Sequence, residues 1–392
     1  MCIRDSMASV LSHNQNNIDK ITFFMDECRR MGIKVLGPDV NQSSTSFTVN
    51  EKDEILFGLG AIKGTGDAAV EAIIIEREEN GAYTDIFDFA SRVNLRTANK
   101  KTFESLAMSG AFDGIGDIHR RQYLYSDENN TSLIEKAIKY GNKFQAEKNA
   151  SQQSLFGGSS GESLPLPKIE QCDPFTNIEK LKIEKDVVGF YISGHPLDQY
   201  KFELRHFCNT NLGEFSDLSN LKGKEIRLGG IVSSFAHRIT KKGKPFGILT
   251  LEDYESTYSF YLFSDDYLKF KKYFETDWFL FIRGMITPRK WNENELEFKI
   301  QEIDLLSEVR EKYLDGIELF VDIVDITDTF ISKMSDLAEK NPGKGSLLFN
   351  ITDTKGNLKV DMFSRKIRIG ITNDLIGELE AMPGMEYKVL MH

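Results

Sequence analysis

Gly58-Leu59-Gly60-Ala61-Ile62-Lys63-Gly64-Thr65-Gly66-Asp67-Ala68-Ala69 is the stretch on which the reading of the N-terminal half turns. Gly64 and Gly66 stand directly before a helical pattern with small residues at Ala68, Ala69 and Ala72. Glycines at a helix start let backbone N–H groups approach an anion, and the helix dipole favours negative charge there. Lys63 adds a cation. Lys63, Gly64, Thr65 and Gly66 therefore read as a hairpin between two helices that grips a phosphodiester without reading bases. An ordinary glycine-rich turn is the competing reading. A dinucleotide-binding loop fits less well, because no βαβ unit follows and no P-loop Lys-Ser/Thr is present.

Around this stretch the pattern is mostly helical from Ile18 to about Tyr140. Ile21, Phe24, Met25, Cys28 and Met31 follow helical spacing and Gly32 ends the run. Phe47-Thr48-Val49 and Ile55-Leu56-Phe57, split by a polar turn, predict a short hairpin. Helices are expected near Asp67–Glu79, Ile86–Arg92, Lys100–Ser109, Arg120–Tyr125 and Thr131–Ala150. A second glycine turn, Met108-Ser109-Gly110-Ala111-Phe112-Asp113, could pair with the first hairpin, although Ala111 and Phe112 read as core. Arg96, Lys100 and Lys101 are candidate phosphate contacts, weighed against the common case of solvated charges on a helix face.

Ser151 to Lys168 reads as a linker, with Gly157, Gly158, Ser159, Ser160, Gly161, Pro165 and Pro167. Inside it stands Gln152-Gln153-Ser154-Leu155-Phe156. Leu155 and Phe156 suit a peptide that fills a hydrophobic pocket while Gln152 satisfies a polar rim. The bland alternative is that both tuck against the preceding helix. A short helix near Asn177–Phe190 follows.

From Lys224 the period changes to two. Strands are expected at Glu225–Phe235, Pro245–Glu252, Thr257–Phe263, Trp278–Thr287 and Glu295–Leu305, with a helix near Asp266–Phe274. That is the element order of an OB barrel. Arg238, Lys241, Lys242 and Lys244 cluster between its first two strands, Arg289 and Lys290 after its fourth, with Phe235, Phe246, Phe260, Tyr261 and Trp291 nearby. A cationic groove with stacking rings is how OB barrels hold single strands, so a weak single-strand site is expected here, although alternating aromatics also build barrel cores. The last segment reads as strand, helix, two strands, helix, strand: a small α+β domain.

Composition bounds the rest. The chain has 392 residues, 40% hydrophobic and 28% charged, enough for two or three domains. No apolar run approaches the ~20 residues of a membrane span. Cys2, Cys28, Cys172 and Cys208 lie far apart without a CxxC pair, which suits isolated reduced thiols in a cytoplasmic protein and disfavours zinc or a disulfide framework. A net charge of -11 argues against wholesale wrapping of nucleic acid but allows local basic patches. No catalytic set emerges, since no aspartate pair suits two-metal phosphoryl transfer and the six histidines show no metal-ligand spacing. The hexapeptide Met1–Ser6 reads as a foreign leader, and from Met7 the sequence reads as starting in mid-domain.

Several blocks resemble the alpha subunit of bacterial DNA polymerase III, a replicative C-family polymerase. Asp26-Glu27-Cys28-Arg29-Arg30-Met31-Gly32-Ile33 and Pro38-Asp39-Val40-Asn41 look like the end of its fingers domain, and Phe57 to Gly66 like its helix-hairpin-helix. Ser109-Gly110-Ala111-Phe112-Asp113 and Gly189-Phe190-Tyr191-Ile192-Ser193-Gly194-His195-Pro196-Leu197 are similar to two further signatures. The resemblance covers nearly everything after Met7. It implies a multidomain α+β chain: the end of the fingers at 7–58, a helix-hairpin-helix region at 59–150, a linker at 151–168, a helical connector at 169–223, an OB-fold domain at 224–307 and a C-terminal α+β domain at 308–392.

By the same resemblance Lys63, Gly64 and Gly66 would hold duplex DNA, and Gln152, Leu155 and Phe156 would bind the sliding clamp. The barrel would bind single-stranded DNA, and the last domain would contact the clamp-loader tau subunit. The family's histidinol-phosphatase-like domain, thumb and palm, with its magnesium-binding aspartates, have no counterpart in these residues. The chain therefore reads as a piece of a longer enzyme, with no catalytic residue, metal ligand or cofactor of its own. A stand-alone clamp-recruiting adaptor and a repair protein are the competing readings, and an error-prone paralogue of the alpha subunit is a variant of the polymerase reading. An open frame encoding a palm upstream of Met7 would separate the polymerase reading from the adaptor.

Overall fold

The computed structural model describes residues 3–15, 17–153, 164–289, 292–353, 356, 358–382 and 384–391. They form two compact units, Met1–Pro196 and Leu197–His392.

The first unit opens with α1 (Ile3–His13) and α2 (Ile18–Arg30), and Ile3 to Ser6 form the first turn of α1 while its buried residues are Ala8 and Leu11. The turn after α2 uses Gly32 at φ +67°, in the left-handed region that only glycine enters cheaply. Three two-residue strands follow: β1 (Val35–Leu36), β2 (Thr48–Val49) and β3 (Ile55–Leu56). β2 and β3 make the expected antiparallel hairpin, and β1 adds in parallel on the other side of β3. A 3₁₀ turn at Leu59–Ala61 leads to α3 (Asp67–Asn80), α4 (Ile86–Arg92), α5 (Lys100–Ser109), α6 (Arg120–Leu124), α7 (Leu133–Gln153) and α8 (Asn177–Val188).

Local chemistry sets these ends. The Asp85 carboxylate accepts from the amides of Phe87 and Asp88 at 2.8 and 2.9 Å, capping α4. Asn99 caps α5 through the amide of Thr102, and Gly110 at φ +87° ends it. Thr176 and Glu179 form a capping box on α8. The helices close on a ring-rich core in which Phe89 meets Phe103 and Phe112 at centroid distances of 5.1 and 5.0 Å, and Phe112 meets Tyr123 at 5.5 Å. All four are fully buried. Helix α7 crosses α4 closely enough that a Cβ on Gly141 would lie 2.2 Å from the Ala90 carbonyl oxygen.

One core runs from Ala8 through Ala137 and takes in Val187, Val188 and Phe190 of and after α8. The expected boundary at 58/59 therefore crosses continuous packing. The expected connector 169–223 is divided as well, because Leu212, Phe215 and Leu221 belong to the core of the second unit.

The second unit begins with α9 (Lys201–Phe207) and two 3₁₀ turns, Leu212–Ser216 and Leu218–Leu221. The barrel sheet has β4 (Glu225–Ile239), β5 (Pro245–Glu252), β6 (Thr257–Phe263), β7 (Phe279–Arg289) and β8 (Asn292–Leu305), with α10 (Ser264–Phe270) between β6 and β7. Its order β6-β5-β4-β7-β8 is antiparallel throughout. This is an OB fold left open between its third and fifth strands. Tyr258, Phe260, Leu262 and Phe298 line a cavity of 380 Å³ at that seam, with Leu218 of the second 3₁₀ turn.

Helix α11 (Leu306–Tyr313) leads into the C-terminal sheet of β9 (Leu314–Asp322), β10 (Pro342–Asp353), β11 (Leu358–Ile369) and β12 (Glu386–Met391). Helix α12 (Asp328–Lys340) crosses from β9 to its parallel neighbour β10, and α13 (Asn373–Glu380) precedes β12. The sheet order is β11-β10-β9-β12. Ile317, Leu319, Val321 and Leu347 of the sheet are buried, as are Leu337, Leu375, Ile376 and Leu379 of the two helices. Among the described residues no helix is long and apolar enough to cross a membrane.

Candidate nucleic-acid interface

In the glycine hairpin, Gly64 adopts φ +91°, and a Cβ there would sit 2.6 Å from Ser105 Oγ and 3.1 Å from Lys101 Cε. Glycine is thus required twice, by the backbone angle and by the close approach to α5. The same approach lays the Lys101 stem beside the hairpin, and the Lys63 and Lys101 side chains are both exposed there. Gly66 is the N-cap of α3 and supplies no capping side chain. The first amides of a helix have no intrahelical acceptor, so this end can receive an anion, although Asp67 in the first turn opposes it.

Two of the expected contacts are placed differently. Thr65 is buried, and its hydroxyl donates toward the carbonyls of Leu59 and Ile62 at 2.9 and 2.7 Å, so its side chain braces the turn rather than facing solvent. Lys100 bonds Glu135 at 2.9 Å and lies 3.7 Å from Glu104. The Glu135 hydrogen bond raises its pKa, and the ammonium is committed to α7 rather than to an incoming phosphate.

The second glycine turn is covered rather than open to a ligand at Gly110. A Cβ on Gly110 would lie 2.1 Å from Arg120 Nη2, so a guanidinium covers the glycine. Arg120 bonds Asp113 at 2.7 Å and the buried Glu184 at 2.7 Å. Burial works against the charge of Arg120, but the two carboxylates outweigh it and hold its pKa above the usual arginine value. Glu184 in turn accepts from the Ser193 amide at 3.0 Å. Residues from three separated blocks are thereby locked together inside the first unit.

The barrel carries the more open surface. In β4 a bulge falls between Val232 and Ser234. Beyond it Phe235 and His237 lie on the Phe274 side of the sheet, where Phe235 packs against the core and the exposed His237 stacks on Phe274 at 5.5 Å and accepts or donates to the Tyr267 hydroxyl at 2.9 Å. Ser234, Ala236 and Arg238 turn outward. Register then builds three outward rows across β4, β5 and β6: Arg238–Phe246–Phe263, Ala236–Ile248–Tyr261 and Ser234–Thr250–Ser259. Phe246 and Phe263 stack at 5.3 Å with planes 19° apart, and Tyr261 is 60% exposed. Lys241, Lys242 and Lys244 are exposed on the β4–β5 turn, which closes through the Lys244 amide on Thr240 Oγ1 at 3.1 Å.

Of the rings expected here, Tyr261 and Phe246 face outward, while Phe260 is core and Phe235 packs against Phe274. Phe263 and Ile248 went unrecognised, although Ser259, Tyr261 and Phe263 alternate visibly in sequence. Arg289 pairs with Glu295 at 2.7 Å and approaches Glu297 at 3.9 Å, which removes it as a free groove cation. Lys290, Trp291, Leu155 and Phe156 lie outside the described residues. The backbone of Gln152 belongs to the last turn of α7.

Comparison with known proteins follows the same order along the chain. A helix-hairpin-helix motif model matches residues 32–123, and an OB-fold nucleic acid binding domain model matches residues 226–306. A model of the DNA polymerase III alpha subunit, C-terminal domain, matches residues 317–390. DNA polymerase III subunit alpha of Haemophilus influenzae is 32% identical over 346 residues, covering 88% of this chain and 29% of that protein. The Escherichia coli K12 protein of the same name is 29% identical over 388 residues, covering 97% of this chain and 32% of the relative. The Pseudomonas aeruginosa protein is 29% identical over 391 residues, with 97% and 33% covered. The chain thus spans about a third of the length of these relatives. Matched almost end to end, with its three domain models in sequence, the chain belongs to the DNA polymerase III alpha subunit family and corresponds to its C-terminal portion.

Proposed function

We propose that this chain is the DNA- and partner-holding portion of a replicative polymerase. The outer face of β4, β5 and β6 binds single-stranded DNA, with bases stacking on Tyr261 and on the Phe246–Phe263 pair and the backbone tracking Arg238, Lys241, Lys242 and Lys244. That face is the observation that carries the proposal: exposed rings beside a cationic turn are what a sequence-tolerant single-strand site requires. The Gly64–Gly66 hairpin, with Lys63 and Lys101, grips duplex backbone. Gln152, Leu155 and Phe156 dock on the sliding clamp, and the β9–β12 domain contacts the clamp-loader tau subunit.

Nucleotide addition is not assigned to these residues. The role proposed is to retain the template and the accessory proteins.

Salt titration tests the barrel site. Each lost phosphate contact on a single strand flattens the slope of log K against log salt by about 0.7. Changing Lys241, Lys242 and Lys244 to Glu should weaken oligo-dT binding and flatten that slope by up to about 2. A slope equal to the unmodified chain's would refute the site. For the clamp contact, Leu155→Ala/Phe156→Ala should abolish binding to a purified sliding clamp, and indifference to the change would remove that assignment.

A further inference from the structure

The C-terminal sheet ends on β11, which pairs with β10 on one side and, among the described residues, with no strand on the other. Leu358, Val360, Met362, Phe363 and Ile367 of this strand are 46% to 65% exposed. By register Val360 and Met362 stand opposite Ile351 and Phe349, which share a face of the sheet with Val321 and Leu319. Ile323, Val324 and Ile331, on the crossover from β9, are exposed as well. Folded domains usually blunt such an edge by shortness, proline or inward-pointing charge. At 12 residues and without proline, β11 is long for an edge, guarded by its own charges and by irregular pairing with β10 between Ser346 and Leu348. Exposed apolar surface of this kind marks an interaction site.

Its charge says which partner fits. Lys359, Arg365, Lys366 and Arg368 lie on β11 against the single carboxylate of Asp361, in a chain whose net charge is -11. Asp361 already accepts from the Asn350 side-chain amide at 2.8 Å. Among the described residues no carboxylate pairs with any of the four cations, and the Arg368 guanidinium bonds the Ser346 hydroxyl instead. Pairing of β11 with a second copy would bring four cations from each strand into one ribbon, which like-charge repulsion disfavours. Nucleic acid would meet the charge but offers no backbone groups in strand register and would leave the aliphatic row unused.

We infer that β11 is a docking edge for an extended, acidic segment of a partner protein, which adds to the sheet as a fifth strand with apolar residues alternating with Asp or Glu. Main-chain hydrogen bonds give the pairing, the Leu358–Val360–Met362 row takes the partner's apolar side chains, and the cations select its charge. The inference rests on reading this domain as the one that contacts an accessory protein.

The test uses the full chain and a fluorescent ten-residue peptide alternating Val and Glu, with a Val/Lys peptide as control. The Val/Glu peptide should bind and slow amide exchange along β11. Lys359→Glu/Lys366→Glu should weaken binding by about tenfold or more, as should Val360→Lys/Met362→Lys at exposed positions where folding is not at stake. No binding of the Val/Glu peptide, equal binding of the two peptides, or protection confined to other strands overturns the inference. Displacement by oligo-dT would give the edge to nucleic acid, and self-association abolished by Val360→Lys/Met362→Lys would give it to a second copy; either overturns it. Purified tau subunit separates the two levels. Tau that binds the chain and its Val360→Lys/Met362→Lys variant equally defeats the edge but keeps the domain's role. Tau that binds neither, while the peptide binds, defeats the tau contact and keeps the edge.

Discussion

Removing the two most exposed rings of the barrel face, Tyr261→Ala with Phe263→Ala, separates binding from folding. Tyr261 is 60% and Phe263 48% exposed, so truncation deletes little core packing. The intramolecular loss is chiefly the Phe246–Phe263 stack, worth about 0.5–1.5 kcal/mol. Stacking on a base is worth about 1–3 kcal/mol per ring, so each change should weaken single-strand binding by roughly 5- to 150-fold. Phe260→Ala is the matched control one strand position away. Phe260 faces the core at 4% exposure, so its loss should cost about 3–5 kcal/mol of stability and leave the folded fraction's affinity intact. Anisotropy of a labelled oligo-dT at fixed salt, with Tm from circular dichroism, reads both quantities. A Tyr261→Ala/Phe263→Ala chain that stays folded and binds like the original would refute the stacking platform.

Three further outcomes are expected. Gly64→Val forces a β-branched residue to φ +91° and against Ser105, so it should cost more than about 1–2 kcal/mol and weaken duplex binding equally across sequences; duplexes of differing base composition check the second part. Arg120→Ala leaves Glu184 buried without its cation and should cost about 3–5 kcal/mol, seen as a lower denaturation midpoint at unchanged slope. His206 is held below the usual histidine pKa by burial and by Arg205, so the unfolded chain takes up its proton first as pH falls. Stability contributed at this site is therefore present above about pH 6.5 and lost below it. His206→Phe should flatten that loss in thermal melts between about pH 7 and 5.5, and a parallel curve would refute it.

What could be read in advance was what local periodicity and capping decide. Ile86–Arg92 and Lys100–Ser109 have the expected ends because Asp85, Asn99 and Gly110 stand at their boundaries. The βαββαβ order of the last domain followed from alternation alone. Other features needed partners remote in sequence. β1 is two residues held by a parallel neighbour twenty positions on, which no local pattern marks. Lys100 looked free until Glu135 arrived from α7, and Gly110 looked open until Arg120 lay across it. Thr65 looked like a loop hydroxyl, whereas two carbonyls claim it. The division of aromatics between core and outer face was also hidden, since Phe235 and Tyr261 satisfy the same alternation and only the β4 bulge decides which way Phe235 points.

That bulge acts on β4 much as a frameshift acts on a message. Upstream, Ile226, Leu228 and Val232 occupy the core as even-numbered positions; downstream, odd-numbered Phe235 does so and even-numbered Arg238 is outside. Insertion of a single residue between Ser234 and Phe235, with the bulge kept, would carry the upstream parity along the whole strand. Phe235 and His237 would turn to the outer face and Arg238 toward Phe274, with no existing side chain altered, whereas deletion of Ser233 would remove the bulge and leave these faces as they are. In this strand the count of residues carries information that their identities do not, and the surface proposed to meet DNA exists only in one of the two frames.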